Sequence, residues 1–169
     1  LLSHNGTRPY FGTNPICFAV PRKEKEPYCL DMASSIIPWN RVLMHNNSKK
    51  QLQNGVAADS NGNLTTNPDE AACLIPTGSY KGFGIASMVE VLCGIYTGMQ
   101  FGRAIPSMYK APMVEPRHLG QFYMVIRADG CVNSEEFISS MQKLTDEVRN
   151  EPQYNNQKIL HLGKPKYYH

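Results

Sequence analysis

The sequence predicts a mixed α/β domain of the α+β kind, with a mixed, largely antiparallel sheet and packed helices. Three observations support this class. Short apolar runs near the start are separated by a charged turn, as in a hairpin. Two longer segments, near residues 80–100 and 134–148, have helical character. The apolar runs and helical segments lack regular βαβ spacing, which argues against a doubly wound parallel sheet.

Composition limits the domain count and the classes of partner. With 169 residues and 41% hydrophobic content, the chain can form one core, so we expect a single domain over residues 1–169 or part of one. The net charge of +3 is spread out, without basic blocks, so nucleic acid is not favoured as a partner. Glu90 interrupts the longest apolar run, which is shorter than a bilayer span, and there is no secretion signal. We therefore expect a cytoplasmic protein.

The first elements are a loop and a hairpin. Residues 1–15 are rich in turn residues and predict a loop over the core. Ile16–Val20 and Tyr28–Leu30 predict two strands. Asp31 ends the second strand, where its carboxylate could accept hydrogen bonds from a ligand or cap the next turn; position alone leaves both roles open.

A helix and a long connection follow. Residues 36–50 predict a helix with Pro38 in its first turn. Residues 51–72 are predicted to form turns almost throughout, because they contain Asn54-Gly55, Asn61-Gly62 and Asn67-Pro68. We expect a long surface excursion here, of the kind that frames a site or a subunit contact.

The stretch from Leu74 to Gly102 predicts a central, mostly buried helix, because it is apolar nearly all round. Its start carries Lys81, small residues and unpaired N–H groups, which together suit an anionic ligand. Gly82-Phe-Gly84-Ile-Ala-Ser87 nearly matches a dinucleotide fingerprint, with serine in place of the last glycine. The small residues could equally permit close packing, and Lys81 could be a solvated surface lysine.

The last third predicts a strand and a helix. Residues 120–126 alternate, with Phe122, Met124 and Ile126 on one face of a strand. Asn133 and Glu136 fit a capping box at the start of an amphipathic helix. Arg117, just before the strand, could bind a carboxylate through two parallel hydrogen bonds or remain a surface arginine.

Histidines and cysteines indicate neither a metal site nor a catalytic triad. The five histidines are scattered, so each is expected to be structural or exposed rather than catalytic. The five cysteines form no C-x-x-C pair, and their odd number predicts reduced, mostly buried thiols.

Five motifs in order resemble the malate/L-lactate dehydrogenase family, the NAD(P)-dependent 2-hydroxy-acid oxidoreductases that do not use the Rossmann fold. The motifs are Gly12-Thr-Asn-Pro15, Asp31-Met-Ala33, Gly62–Pro68, Leu74–Gly84 and Gly98–Gly102, and they cover nearly the whole chain. The resemblance implies NAD as cofactor, with NADP as the alternative, a small 2-hydroxy acid as substrate, and a homodimer.

The same resemblance implies roles for single residues. Asp31, Met32 and Ala33 match the family's nucleotide contact, and Lys81 matches its cofactor-binding lysine. Gly163, Lys164 and Pro165 match a late segment at the adenosine end of the cofactor. Arg117 is similar to the arginine that holds the substrate. Asn40 and Asn67 depart from the residues usual in the family, glycine and aspartate.

The family's catalytic histidine, a Ser-His pair and a further substrate arginine lie upstream of the Gly-Thr-Asn-Pro motif. The resemblance therefore implies that this chain is the C-terminal half of the catalytic unit, an incomplete fold that holds the nucleotide-binding portion. We expect no catalytic residue in this chain and assign none of its histidines that role. A rival from another class is a non-catalytic nucleotide-binding or assembly module.

Overall fold

The computed structural model describes residues 1–23, 26–108, 112 and 114–152. The chain forms two compact units. The first comprises Leu1–Ile16 and Ala33–Phe122, and the second comprises Cys17–Met32 and the chain from Tyr123 onward. Small sheets and packed helices confirm the predicted mixed α/β class. The assignment of residues 1–169 to one partial domain stays a prediction.

The described elements follow one another in a simple order. They are β1 (Ile16–Val20), β2 (Tyr28–Met32), α1 (Trp39–Asn47), β3 (Ala57–Ala58), β4 (Leu64–Thr65), β5 (Cys73–Leu74), α2 (Tyr80–Glu90), a π-helical turn (Val91–Ile95), a 3-10 turn (Gly102–Ala104) and α3 (Ser134–Asn150). Strands β1 and β2 pair as predicted and form a two-stranded sheet in the second unit. Helix α1 begins directly after Pro38, which lies at its N-cap.

The prediction of a surface excursion over residues 51–72 is wrong in its central part. This segment contributes β3 and β4, and β3 lies between β4 and β5 in a three-stranded antiparallel sheet. Ala57 pairs with Thr65 on one side and with Leu74 on the other, and both Ala57 and Ala58 are fully buried. Small side chains let the sheet lie close to the core. Asn61-Gly62 connects β3 to β4, and Asn54-Gly55 lies just before β3.

The core of the first unit surrounds this sheet. Its buried apolar cluster consists of Leu1, Val42, Leu52, Val56, Ala57, Leu74 and Ala86, with Phe11, Ile37, Trp39 and Ala71 packed against it. The cluster joins the start of the chain, α1, the central sheet and α2. Helix α2 is therefore attached to this core through Ala86.

Helix α2 is not mostly buried, and that expectation is wrong. Its buried positions, Gly82, Ala86 and Glu90, recur every four residues, and Gly94 continues the line into the π-helical turn. The large apolar side chains lie on the opposite side, where Met88 is 44% exposed and Ile95 is 55% exposed. The helix packs through a stripe of small residues, which allows a close backbone approach that bulky residues would prevent.

The predicted strand over residues 120–126 does not form. The backbone there belongs to no strand, and Tyr123, Met124, Val125 and Ile126 are 70% to 95% exposed. Helix α3 does form from Ser134, and the N-cap part of the predicted capping box is confirmed: the Glu136 backbone N–H donates to Asn133 Oδ1 at 2.8 Å. The Glu136 carboxylate accepts from Asn133 Nδ2 at 3.4 Å. The five cysteines are free, as expected, but only Cys73 is buried.

Candidate functional site

The start of α2 has no side-chain cap and carries a cation, although the Lys81 backbone N–H donates to the Gly78 carbonyl at 3.3 Å. Ser79 precedes the helix with φ 59° and ψ −122°, and its side chain does not cap the helix. Its hydroxyl lies 3.4 Å from Nδ1 of His4 instead, and the His4 ring makes an edge contact with Tyr80. Lys81 is exposed on the first turn. A helix N-terminus without an acidic cap, next to a lysine, attracts a negatively charged group.

The two glycines of this turn have different roles. A Cβ at Gly82 would lie 2.1 Å from the Thr77 carbonyl oxygen, so only glycine lets the preceding loop lie against the helix. A Cβ at Gly84 would meet nothing within 4 Å. Close packing therefore explains Gly82, whereas Gly84 leaves open space beside the backbone that a ligand could use.

Buried Glu90 joins two of the motif segments to α2. Its carboxylate is 6% exposed and accepts hydrogen bonds from Asn14 Nδ2 at 2.6 Å and from the backbone N–H of Gly102. The same Asn14 nitrogen donates to the Ala86 carbonyl at 2.8 Å. Asn14 has φ 33° and Gly102 has φ 56°, so both bonds are made by tightly turned loops. One carboxylate thus fixes both loops on the helix.

A second junction ties the segment after β2 to the loop before α2. Ser34 is fully buried; its hydroxyl and its backbone N–H both donate to the Thr13 carbonyl at 2.8 Å. The Ser34 carbonyl accepts from the Thr77 N–H at 2.9 Å, and Ser35 bridges to Pro76. The Gly-Thr-Asn-Pro motif, the residues after Ala33 and the entry to α2 therefore meet in one place.

Arg117 lies on a segment that packs against the π-helical turn. Gly120 lies so close to the Cys93 carbonyl that a Cβ would be 1.7 Å from its oxygen. Thr97 Oγ1 donates to the same carbonyl at 2.5 Å. His118 has φ 48°, which turns the chain sharply beside Arg117. Arg117 is half-buried, and no hydrogen bond or ion pair joins it to the described residues.

The residues predicted to contact the nucleotide lie on different elements. Asp31 and Met32 end β2 in the second unit, where Asp31 is exposed, and Ala33 begins the longer segment of the first unit. Lys81 and Arg117 also belong to the first unit. Gly163, Lys164 and Pro165 lie outside the described residues.

Arg103 is a further candidate, to which the sequence analysis assigned no binding role. It lies in the 3-10 turn, where its Nε donates to the Pro9 carbonyl at 3.2 Å. Its guanidinium carbon lies 4.9 Å from the centre of the Tyr10 ring. His4 and Glu90 were missed for the same reason: their partners are more than ten residues away along the chain, and no local pattern records such contacts.

Other features of the described residues do not compete with this arrangement. They hold no cluster of three or more histidine, cysteine or acidic side chains suited to a metal ion. None of their helices is long and apolar enough to cross a membrane. A shallow polar depression of about 470 Å³ lies between the end of α1 and residues 67–69, and no predicted site residue lines it. In the second unit, desolvation and a contact with Cys29 raise the pKa of the Cys17 thiol, which disfavours the reactive thiolate.

Comparison with known proteins decides the family. The profile of the malate/L-lactate dehydrogenase family matches residues 1–169. The chain belongs to this family. The resemblance carried by the five motifs is therefore confirmed over the whole sequence.

Curated members of the malate/L-lactate dehydrogenase family differ in substrate. The chain is 34% identical over 143 residues to an Escherichia coli protein named ureidoglycolate dehydrogenase (NAD(+)), an alignment that covers 85% of this chain and 41% of that protein. It is 41% identical over 95 residues to the Delta(1)-pyrroline-2-carboxylate reductase of Agrobacterium fabrum, covering 55% of this chain and 28% of that protein.

A solved member of the family has the same fold. The sulfolactate dehydrogenase of Methanocaldococcus jannaschii aligns with a TM-score of 0.84 and 30% identity, covering 96% of this chain and 47% of that one. The chain therefore spans less than half the length of these relatives. The fold that it shares with them is the non-Rossmann fold expected from the motifs.

Proposed function

We propose that the protein to which this chain belongs is a nicotinamide-dependent dehydrogenase that oxidises a small 2-hydroxy acid. The leading substrate is ureidoglycolate, which would be converted to oxalurate with NAD in allantoin breakdown. Membership of the family over residues 1–169 is the observation that carries the proposal. The substrate is favoured by the similarity to ureidoglycolate dehydrogenase and by Phe101-Gly-Arg103 and Arg117–Gln121, which look most like that enzyme.

The residues of this chain would bind the cofactor and the substrate and orient them. The uncapped N-terminus of α2, exposed Lys81 and the space beside Gly84 fit an anionic part of the dinucleotide. Asp31, Met32 and Ala33 would contact the nucleotide, and Gly163, Lys164 and Pro165 its adenosine end. When bound, the nicotinamide supplies a hydride acceptor. Half-buried Arg117 would hold the substrate carboxylate through paired hydrogen bonds.

Proton transfer is assigned to a residue outside this chain. Oxidation needs a base that takes the hydroxyl proton while the hydride leaves the same carbon. We therefore expect the purified 169-residue chain to form no NADH from ureidoglycolate and NAD. Measurable NADH formation by this chain alone would overturn that division of roles.

Cofactor binding can be tested on the 169-residue chain itself. Titration with NADH, followed by nucleotide fluorescence, should show saturable binding, and Lys81→Met should weaken it about tenfold, or ~1.4 kcal/mol. Lys49→Met, which removes an equivalent exposed cation at the end of α1, is the matched control and should leave binding unchanged. Equal affinities for the Lys81 variant and the parent chain would remove Lys81 from the site.

The alternatives are a malate, lactate or other 2-oxo-acid dehydrogenase of the same family, or a non-catalytic nucleotide-binding module. The first is favoured by the pyrroline-carboxylate and sulfolactate enzymes among the relatives. Profiling the product of the complete reading frame with ureidoglycolate, malate and lactate, each with NAD and NADP, separates these candidates. A start codon directly before Leu1 would favour the module, and a histidine-bearing segment there would favour the enzyme. Dimer formation remains part of the proposal.

A further inference from the structure

Arg103 is held more firmly than a surface arginine usually is. Its Nε donates to the Pro9 carbonyl, and its guanidinium carbon, Cζ, lies over the Tyr10 ring. Stacking on an aromatic face and one committed hydrogen bond leave the side chain few alternative rotamers. The charged group is therefore fixed before any ligand arrives.

The support beneath Arg103 continues into the core. Tyr10 makes an edge contact with Phe11, at 5.0 Å between ring centres, and Phe11 packs on Phe83 of α2 at 4.9 Å. The Tyr10 backbone N–H donates to the Leu1 carbonyl at 3.0 Å. A run of three aromatic rings thus connects the Arg103 platform to the helix that starts at the proposed cofactor site.

The backbone on the other side of Arg103 is fixed as well. The N–H of Gly102 donates to buried Glu90, and Gly102 has φ 56°. A Cβ at this position would lie 2.9 Å from three atoms at the end of the Tyr10 side chain, and the positive φ also favours glycine. Glu90, Gly102 and Tyr10 therefore position Arg103.

The two terminal nitrogens of the Arg103 guanidinium, Nη1 and Nη2, are the part of arginine that binds carboxylates. Among the described residues, no hydrogen bond or ion pair engages the Nη1 and Nη2 groups of Arg103, and the side chain is exposed. Two parallel N–H donors match the two oxygens of a carboxylate. Ureidoglycolate, pyrroline-2-carboxylate and sulfolactate, the compounds in the names of the relatives, all carry one.

We propose that Arg103 is a carboxylate-binding residue, pre-organised by the Pro9 carbonyl and the Tyr10 ring, that selects hydroxy-acid substrates. This inference rests on the proposed function for the identity of the substrate, but carboxylate binding by Arg103 can be measured without cofactor or turnover. It adds a second arginine to the one that the sequence analysis singled out.

The test follows the side chain itself in the isotopically labelled 169-residue chain. The Nε–H of Arg103, protected by its bond to Pro9, should give a resolved NMR signal that shifts saturably as malate or ureidoglycolate is added. The neutral diamide of malate should produce no such shift. Arg103→Lys keeps the charge but loses the paired donors, and should weaken binding at least tenfold.

Matched variants separate binding from folding. Arg127→Lys changes an exposed arginine that is already paired with Asp129 at 2.8 Å, and should leave carboxylate affinity unchanged. Tyr10→Phe keeps the stacking ring and should retain affinity, whereas Tyr10→Leu should reduce it several-fold with the charge intact. Circular dichroism confirms that each variant is folded.

Two results would overturn the proposal: equal carboxylate affinity for Arg103→Lys and the parent chain, or an equal response to the neutral diamide. If the parent chain binds carboxylates but does not bind NADH, the proposed dehydrogenase function is contradicted. The carboxylate-binding role of Arg103 is then still supported.

Discussion

At the scale of single residues, Glu90 is the side chain on which the site geometry depends most. Glu90→Gln keeps the shape of the side chain but replaces one of its two acceptor oxygens with an NH₂ group. Asn14 and Gly102 each need an acceptor, so one of these two donors loses its partner. The Asn14 amide cannot compensate by flipping, because its nitrogen also donates to Ala86. A buried donor left without an acceptor costs about 1–3 kcal/mol, so the free energy of unfolding should fall by that amount in urea titration.

The matched control for Glu90→Gln is Glu70→Gln. Glu70 also accepts two hydrogen bonds, here from the side chains of Thr65 and Asn67, but it is exposed. Water can replace those bonds, so the change should stay within about 0.5 kcal/mol. If both variants lose the same stability, burial is not what makes Glu90 important.

Asp59 gives the first unit a predictable response to acid. Backbone N–H groups of Asn63 and Asn61 donate to its carboxylate at 2.9 and 2.8 Å and hold its pKa below the ordinary value. With the folded pKa lowered, the unfolded chain takes up the proton first as pH falls. The stabilisation is therefore present above the ordinary aspartate pKa and is lost as pH falls through the folded value.

Asp59→Ala should remove this dependence. We expect a lower melting temperature than the parent chain at neutral pH, with the two melting temperatures converging as the pH is lowered below the ordinary aspartate pKa. Asp69→Ala, in the next loop, is the matched variant with which the Asp59→Ala melting temperatures are compared. A constant gap between the Asp59 variant and the parent at every pH would assign the effect to packing rather than to charge.

At the scale of elements, alanine substitutions at Gly82 and Gly84, which lie within one turn of α2, should have opposite effects on stability. Gly82→Ala would force a methyl group against the Thr77 backbone and should cost about 1–3 kcal/mol through displacement of the loop. Gly84→Ala enters open space and should stabilise α2 by up to about 1 kcal/mol, because alanine favours helix more than glycine does. Thermal or urea unfolding of both variants measures the difference.

The Gly84 variant also addresses the proposed cofactor contact. If a dinucleotide approaches the backbone there, Gly84→Ala should weaken NADH binding while it raises stability, a combination that packing alone does not produce. Unchanged NADH affinity in the stabilised variant would place the nucleotide elsewhere.

Elements governed by neighbours in sequence were predicted well, and those governed by distant partners were not. Helix α3 begins at its capping box because Asn133 and Glu136 are three residues apart and need no other element. The strand expected at residues 120–126 has the right alternation, but a strand also needs a partner for its backbone. The apolar pattern of α2 predicted a mostly buried helix. The pattern could not show that the buried positions are Gly82, Ala86 and Glu90 and not the large apolar side chains.

The candidate site divides in the same way. Lys81 and Arg117 were found because their types and positions match a family pattern. Arg103, by contrast, depends on Pro9 and Tyr10, which lie more than ninety residues earlier. Only the folded chain brings an exposed arginine and an aromatic ring together in this way.

At the scale of the whole molecule, each unit presents apolar surface to solvent. In the first unit, Met88, Val91, Ile95 and Tyr96 on α2 and the π-helical turn are 44% to 75% exposed. In the second unit, Val125 is 95% exposed and Ile126 is 73% exposed. Contiguous apolar surface of this kind is uncommon on monomeric proteins and favours association.

We therefore expect the purified 169-residue chain to bind the dye ANS and to self-associate as its concentration rises. Light scattering coupled to size-exclusion chromatography measures the association. Ile95→Lys and Val125→Lys, which place a charge in each apolar surface, should each reduce dye fluorescence and shift the association to higher concentration. Lys143→Ala, on the solvated side of α3, should change neither, because that lysine is exposed in an ion pair with Glu147. A chain that stays monomeric and dye-free at high concentration would contradict this expectation and show that these side chains are covered in solution.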